Sequence, residues 1–142
     1  MERERFGYFR GVEVQWRDVD PLNHLNHAAY LSYVEHARMR YFDEVLGHRD
    51  PQTTGWVIVD LRCRFRAPVN FPDTVTCGFR FSKLGRTSAH IEFGVWSGDG
   101  TLAADGEGVL VYTDPTTAKA SPIPDEWRRR IVEFERLDPA PT

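Results

Sequence analysis

The sequence predicts an α+β domain in which a curved antiparallel sheet wraps one long apolar helix. Three observations carry that expectation. One helical stretch, His27 to Leu46, is apolar over most of its surface. After it come four stretches that alternate apolar and polar residues with period two, joined by short turns. Another alternating stretch precedes it, and a short amphipathic helix ends the series. Antiparallel strands with helices grouped to one side define the class. Curling the sheet around the helix is the simplest way to bury so apolar a segment.

The first strand is expected over Tyr8 to Arg17. Phe9, Val12, Val14 and Trp16 form its apolar side, with Glu13, Gln15 and Arg17 opposite. Pro21 and Asn23 stop the strand and turn the chain. Asn26 suits the N-cap of the long helix, because its amide oxygen can accept from the N–H groups two and three residues on. Gly47 suits the C-cap, where left-handed dihedrals cost glycine little. Between them Glu35, Arg38 and Asp43 make a thin polar stripe, so the helix is expected to be buried over most of its circumference.

Trp56 to Phe65 reads as a strand with a buried face (Val59, Leu61, Cys63, Phe65) and a wet face (Asp60, Arg62, Arg64, Arg66). Pro68 and Pro72 punctuate the chain. The next strand alternates Val75, Cys77, Phe79 and Phe81 with Thr76, Gly78, Arg80 and Ser82. Leu84 to Thr87 makes a turn, and Ala89, Ile91, Phe93 and Val95 mark another strand. Ser97-Gly98-Asp99-Gly100 is a hairpin signal. The last strand, Leu102 to Tyr112, contains Gly106 and Gly108, which suggest a bulge or a close backbone approach. Pro124, with Asp125 and Glu126 behind it, opens the final helix, which runs to about Arg136.

A chain of 142 residues suits a single domain over 1–142. A hydrophobic content of 41% and an aromatic content of 13% fit a folded core rather than a disordered chain. The formal charge of −3 lacks the basic excess of a nucleic-acid binder. Cys63 and Cys77 match no metal or redox spacing and are expected as buried free thiols. The charged start Met1 to Arg5 leads into no apolar run of the signal-peptide type, and no run is long enough to span a membrane. A soluble cytoplasmic protein is therefore expected, with no membrane or nucleic-acid partner. The tail from Asp138 to Thr142 is expected to fray.

The chemistry concentrates between Trp16 and Arg38. Asp18, Asp20, Asn23, His24, Asn26 and His27 crowd the start of the long helix. Backbone N–H groups there lack intrahelical partners, and the helix dipole favours negative charge. An Asp beside that point can attack a carbonyl whose oxygen is held there, or activate water to do so. An aspartate carboxylate needs no help to be ionised at neutral pH. The plainer reading of Asp20 is a turn-forming Asp before Pro21. No metal site is suggested, since His24 and His27 lack suitably spaced partners.

This stretch resembles the signature of the 4-hydroxybenzoyl-CoA thioesterase-like branch of hotdog-fold acyl-CoA thioesterases. Asp20 takes the Asp position, and His24-Leu25-Asn26-His27 the His-x-Asn-Asn position. Tyr30 and Glu35 follow at the expected spacing, and Ala37-Arg38 closes the pattern. Phe65-Arg66-Ala67-Pro68 with Phe71-Pro72-Asp73, and Leu84-Gly85-Arg86-Thr87-Ser88, are weaker matches. Asn23 stands where the family often has Gly or Gln, and His27 where a second Asn is usual.

The resemblance implies a hotdog fold and hydrolysis of an acyl-CoA to a carboxylic acid and CoA, with no cofactor. It places Asp20 as nucleophile or general base, with Asp18 structural, and the helix start as the polariser of the carbonyl. His24 and Asn26 fall in the catalytic turn. There His24 orients the turn or bonds substrate or water, and the alternative for Asn26 is a cap and nothing more. His27, Tyr30 and Glu35 fall on the substrate side, Glu35 lining the acyl pocket, facing a partner subunit, or simply pairing with Arg38 in solvent. Arg66, Arg86, Thr87 and Ser88 are candidates for the CoA phosphates, because Arg matches phosphate geometry; a charged strand face is more commonly just solvated. The resemblance further implies a homodimer or homotetramer with the site at a subunit interface. Other readings are an acyl-carrier-protein thioesterase, a non-catalytic acyl-thioester-binding module, and a hydroxyacyl-thioester dehydratase with His24 as base.

Overall fold

The computed structural model describes residues 1–50 and 53–138. The expected fraying after Asp138 therefore falls almost wholly outside the described residues. Five strands, β1 (Phe9–Glu13), β2 (Trp56–Phe65), β3 (Thr74–Leu84), β4 (Ser88–Trp96) and β5 (Leu102–Tyr112), form one antiparallel sheet in the order β1-β3-β4-β5-β2. Helix α1 (His27–Glu44) lies on one face, and α2 (Asp125–Glu135) follows the last strand. This is the hotdog fold: a curved sheet around a central helix. None of the described helices is long and apolar enough to cross a membrane.

The core lies between α1 and the sheet. Val75, Cys77, Phe79 and Phe81 of β3 and Ala89, Ile91, Phe93 and Val95 of β4 are buried against Tyr33, Val34, Ala37, Tyr41 and Phe42 of α1. Gly47 takes the left-handed conformation expected of it (φ 72°), and its N–H donates to the Asp43 carbonyl at 3.0 Å. Cys63 and Cys77 are free thiols; Cys77 is buried and Cys63 partly so. Burial pushes the Cys77 thiol up to about 12.

Gly106 and Gly108 mark a close approach. A Cβ on Gly106 would run into the Arg62 carbonyl oxygen and the Phe93 ring, and one on Gly108 would sit 2.6 Å from the Asp60 carbonyl oxygen. The register shift falls on the neighbouring strand, between Ile58 and Asp60.

Three expectations are corrected. The first strand ends at Glu13, not Arg17, because Trp16–Asp18 folds into a 3-10 turn. Trp16 is consequently 72% exposed, with its ring edge-on to Phe71. β2 has no fully buried residue: it is the sheet edge, its register shift takes Val59 out of the alternation, and Val59 is 59% exposed. α1 is not buried over most of its surface either. Ala28, Ser32 and Glu35 form an open face, whereas Arg38 of the expected polar stripe is buried.

Candidate active site

The loop before α1 is built by its own polar side chains. Asp20 Oδ1 accepts from the N–H groups of Leu22 (2.9 Å) and His24 (3.0 Å). The Asp20 N–H donates to the His24 carbonyl at 2.9 Å, and the Asn23 N–H to the Asp20 carbonyl at 2.9 Å. Asn23 sits at φ 59°, a left-handed position that Asn tolerates. Its side chain clamps the loop to the segment before β3, donating to the Phe71 carbonyl (3.1 Å) and accepting from the Phe71 N–H (3.0 Å). Asp20 thus does make the turn that the plainer reading assigns to it. That role uses one oxygen only: no donor among the described residues reaches Oδ2.

Asp18 has partners of its own. Its Oδ2 accepts from the Tyr33 hydroxyl at 2.7 Å, and its carbonyl accepts from the Asn26 N–H at 2.7 Å. Asn26 caps α1, its Oδ1 accepting from Ala28 N–H at 2.8 Å, while its carbonyl takes the Ala29 N–H at 2.9 Å. Among the first three N–H groups of the helix, only that of His27 finds no acceptor among the described residues. The donors expected over His27 to Tyr30 are thus mostly engaged by the cap.

A surface pocket gathers Asp18, Asp20, Asn26, Ala28, Ala29 and Ser32. His24 is exposed on the adjoining loop. His27 and the buried Tyr30 both set their rings edge-on to Phe65, and the Tyr30 hydroxyl donates to the Ala67 carbonyl at 3.3 Å. Glu35 is solvated and paired with Arg38 at 3.4 Å, yet both line a second pocket farther along α1.

The phosphate candidates divide between the two ends of the sheet, with Arg66 directly after Phe65, whose ring meets Tyr30 at the helix start. Arg66 donates through Nε to Asp105 at 3.1 Å. Asp105 is only 1% exposed and also receives Arg64 at 2.8 Å and the Met1 amine at 3.3 Å. Burial raises its pKa, but hydrogen bonds from Arg66, Arg64 and the amine outweigh burial and hold it below its ordinary value. Arg86 and Thr87 lie in the turn after β3 and Ser88 opens β4, at the end of the sheet remote from Asp20. β3 starts at Thr74, which pairs with Glu13 near the site, and its length separates the two ends by roughly 30 Å. One chain therefore brings together Asp20, Asn26 and the helix start, with His24, His27 and Tyr30 around them, but not the Arg86 turn. Sequence reasoning passed over Ser32, which lines both pockets; its position one turn after Ala28 on α1 was the available signal. Among the described residues no group of three or more His, Cys, Asp or Glu side chains is disposed to hold a metal ion.

The fold and this helix-start site define a protein of the hotdog class. The chain belongs to the thioesterase-like superfamily, whose family model matches residues 14–131. It is 35% identical to a thioesterase from Thermus thermophilus solved in complex with coenzyme A and Zn, covering 94% of this chain and 97% of that one at a TM-score of 0.83. Two more distant structures share the fold. A thioesterase superfamily protein from Jannaschia sp. CCS1 is 23% identical over 95% of this chain and 87% of that one, at a TM-score of 0.84. The DHNA-CoA thioesterase of Staphylococcus aureus is 20% identical over 92% and 91%, at 0.79. No curated protein matches the sequence.

Proposed function

We propose that the protein is an acyl-CoA thioesterase that hydrolyses acyl-S-CoA to a carboxylic acid and free CoA. The observation that carries this reading is the Oδ2 of Asp20, unengaged by any described residue, beside the N-terminal turn of α1. The two N–H bonds to Oδ1 fix the carboxylate, so the other oxygen is aimed without further ordering cost. The thioester carbonyl oxygen sits against the His27 N–H and the positive end of the helix dipole, where charge developing on it is stabilised. As a nucleophile, Oδ2 adds to the carbonyl carbon, the C–S bond breaks, the CoA thiolate is protonated from water, and a second water cleaves the resulting anhydride. As a general base, Oδ2 takes a proton from water as the water oxygen adds to the carbonyl; the tetrahedral intermediate then collapses with C–S cleavage, and the departing CoA thiolate takes up a proton. Label found in the Asp20 carboxylate after a single turnover in heavy-oxygen water identifies the nucleophilic route, because it arises only when water cleaves the anhydride on the Asp20 side.

The working unit in this reading is a homodimer, or a tetramer built from it. β2 is an uncovered edge of ten residues that exposes Val57, Ile58, Val59, Leu61 and Phe65, and such an edge calls for a partner strand. Its Trp56 end lies by the Arg86 turn, through Tyr112 and Thr87, and its Phe65 end lies by Tyr30 at the helix start. Antiparallel pairing of two such edges sets one end of β2 against the other end of its partner. The partner subunit's Arg86, Thr87 and Ser88 then come to the end of the sheet that carries Asp20, where CoA phosphates need cations. Light scattering tests the assembly, and a clean monomer contradicts it.

The decisive experiment is free-thiol release from aromatic, short and long acyl-CoAs by the wild type and by Asp20→Asn. Release that falls a hundredfold or more in the variant, about 2.7 kcal/mol of barrier, supports the reading. Full activity in Asp20→Asn overturns the mechanism. Release from acyl-carrier-protein substrates alone transfers the same chemistry to the other carrier.

A further inference from the structure

We infer that the pocket beyond the thioester site receives an acyl group ending in a carboxylate, and that Arg38 binds that carboxylate. The inference rests on the thioesterase reading and names its substrate class. The pocket, about 160 Å³, lies between α1 and the sheet and is walled by Leu31, Val34, Ile58, Leu61, Phe79 and Phe93. Within this apolar wall stands one cation. Arg38 is 7% exposed, and its Nε is buried with no hydrogen-bond partner among the described residues. Its one polar contact among the described residues is the 3.4 Å approach of Nη2 to Glu35. The Glu35 side chain is itself 62% exposed, so solvent screens the pair.

A buried guanidinium is costly unless its charge and its donors are matched. Its planar fork suits a carboxylate held by two N–H groups at once, and Glu35 does not make that contact. Burial also pulls the Arg38 pKa down, with the Glu35 charge opposing, which is the signature of a cation short of counter-charge. Among the described residues, Arg38 and Glu35 are the charged side chains that line the pocket.

The geometry sets the length of the ligand. Ser32 lines both this pocket and the one that holds Asp20, so the acyl group passes Ser32 to move from one to the other. Arg38 follows His27, whose N–H meets the thioester oxygen, by roughly 16 Å of helix rise, and its side chain leans back about one turn toward the N-terminus. A carboxylate on Arg38 therefore lies roughly 11 Å from the thioester carbonyl, the span of a saturated acyl chain of about ten carbons.

The test compares two ten-carbon saturated acyl-CoAs, one ending in a methyl group and one in a carboxylate, on the wild-type protein. The carboxylate-ended thioester is expected to show a kcat/KM at least tenfold higher, mainly through KM. Arg38→Met is expected to bring the ratio below one. Glu35→Gln, which removes the competing carboxylate, is expected to raise it. A purely structural Arg38 would change both substrates together and leave the ratio alone. A wild-type ratio of one or less overturns the inference, even if Arg38→Met fails to fold. If neither thioester is hydrolysed, the thioesterase reading fails separately. Titration with the two corresponding CoA thioethers then decides the pocket, and equal affinities overturn its assignment.

Discussion

The Tyr33 hydroxyl donates to Asp18 Oδ2 at 2.7 Å and accepts the Gln15 N–H at 3.0 Å. A buried residue of α1 thereby fixes both ends of the 3-10 turn that leads to Asp20. Burial, the Asp18 hydrogen bond and the Asp18 charge push the phenol up to about 12, with the Gln15 amide opposing. Tyr33→Phe leaves Gln15 without its acceptor and Asp18 without its donor. The expected cost is about 1–2 kcal/mol in urea unfolding. Thiol release is expected to fall in kcat rather than KM, since the turn positions Asp20 without touching substrate. An unchanged midpoint together with unchanged kcat would refute this.

Asn26 both caps α1 and occupies the Ala28 N–H. Asn26→Ala should therefore lose about 1 kcal/mol of stability. Asn26→Asp should retain the cap, since Asp serves nearly as well. It also places a negative charge where the thioester oxygen becomes negative, so its thiol release should fall below that of wild type. Thermal melts and kcat, measured on both variants, separate the two roles.

Gly106 lets β2 and β5 approach over Phe93. Gly106→Ala drives a methyl group into the Arg62 carbonyl oxygen and the Phe93 ring, with an expected loss of about 2–3 kcal/mol. Gly11→Ala is the matched control. Its Cβ meets only Thr74 Cγ2 at 3.6 Å, and its expected change is within about 0.5 kcal/mol. Equal midpoints for the two variants would contradict the close approach.

Glu135 reaches in from α2, accepting from the Tyr41 hydroxyl at 2.6 Å and the Phe81 N–H at 3.1 Å. Burial raises its pKa above the ordinary carboxylate value, more than Tyr41, Phe81 and Arg80 lower it. The folded state therefore binds this proton more tightly than the unfolded state. The corresponding stability is fully present below the unfolded value of about 4.3 and is lost as pH rises through the folded one. Glu135→Gln keeps an acceptor oxygen and removes the titration. Urea midpoints of the variant minus wild type should rise with pH across that window; a flat difference would count against the assignment.

The long helix was legible because its ends carry local signals: Asn26 caps with its own side chain, and Gly47 supplies the left-handed turn. The sheet strands were legible from period-two alternation, and β3 and β4 bury the residues the alternation picked out. Asp20 was marked by its place beside a helix start. Other features were beyond local pattern. Alternation in β2 says that two faces differ, but only the strand order makes β2 an edge, so its apolar side is exposed in the single chain. Trp16 alternates as strand residues do, yet Tyr33 and Asp18 hold the neighbouring chain in a turn. Arg38 belongs to a polar stripe by spacing, and only the sheet packed over α1 buries it. The Arg86 turn matched a motif, but the length of β3 carries it to the far end of the sheet. Local chemistry thus determined the elements and the candidate carboxylate, because caps, turns and periodicity act over a few residues. Tertiary structure alone decided the edge, the buried charge and the distances between site residues, because these depend on which elements, distant in sequence, pack against one another.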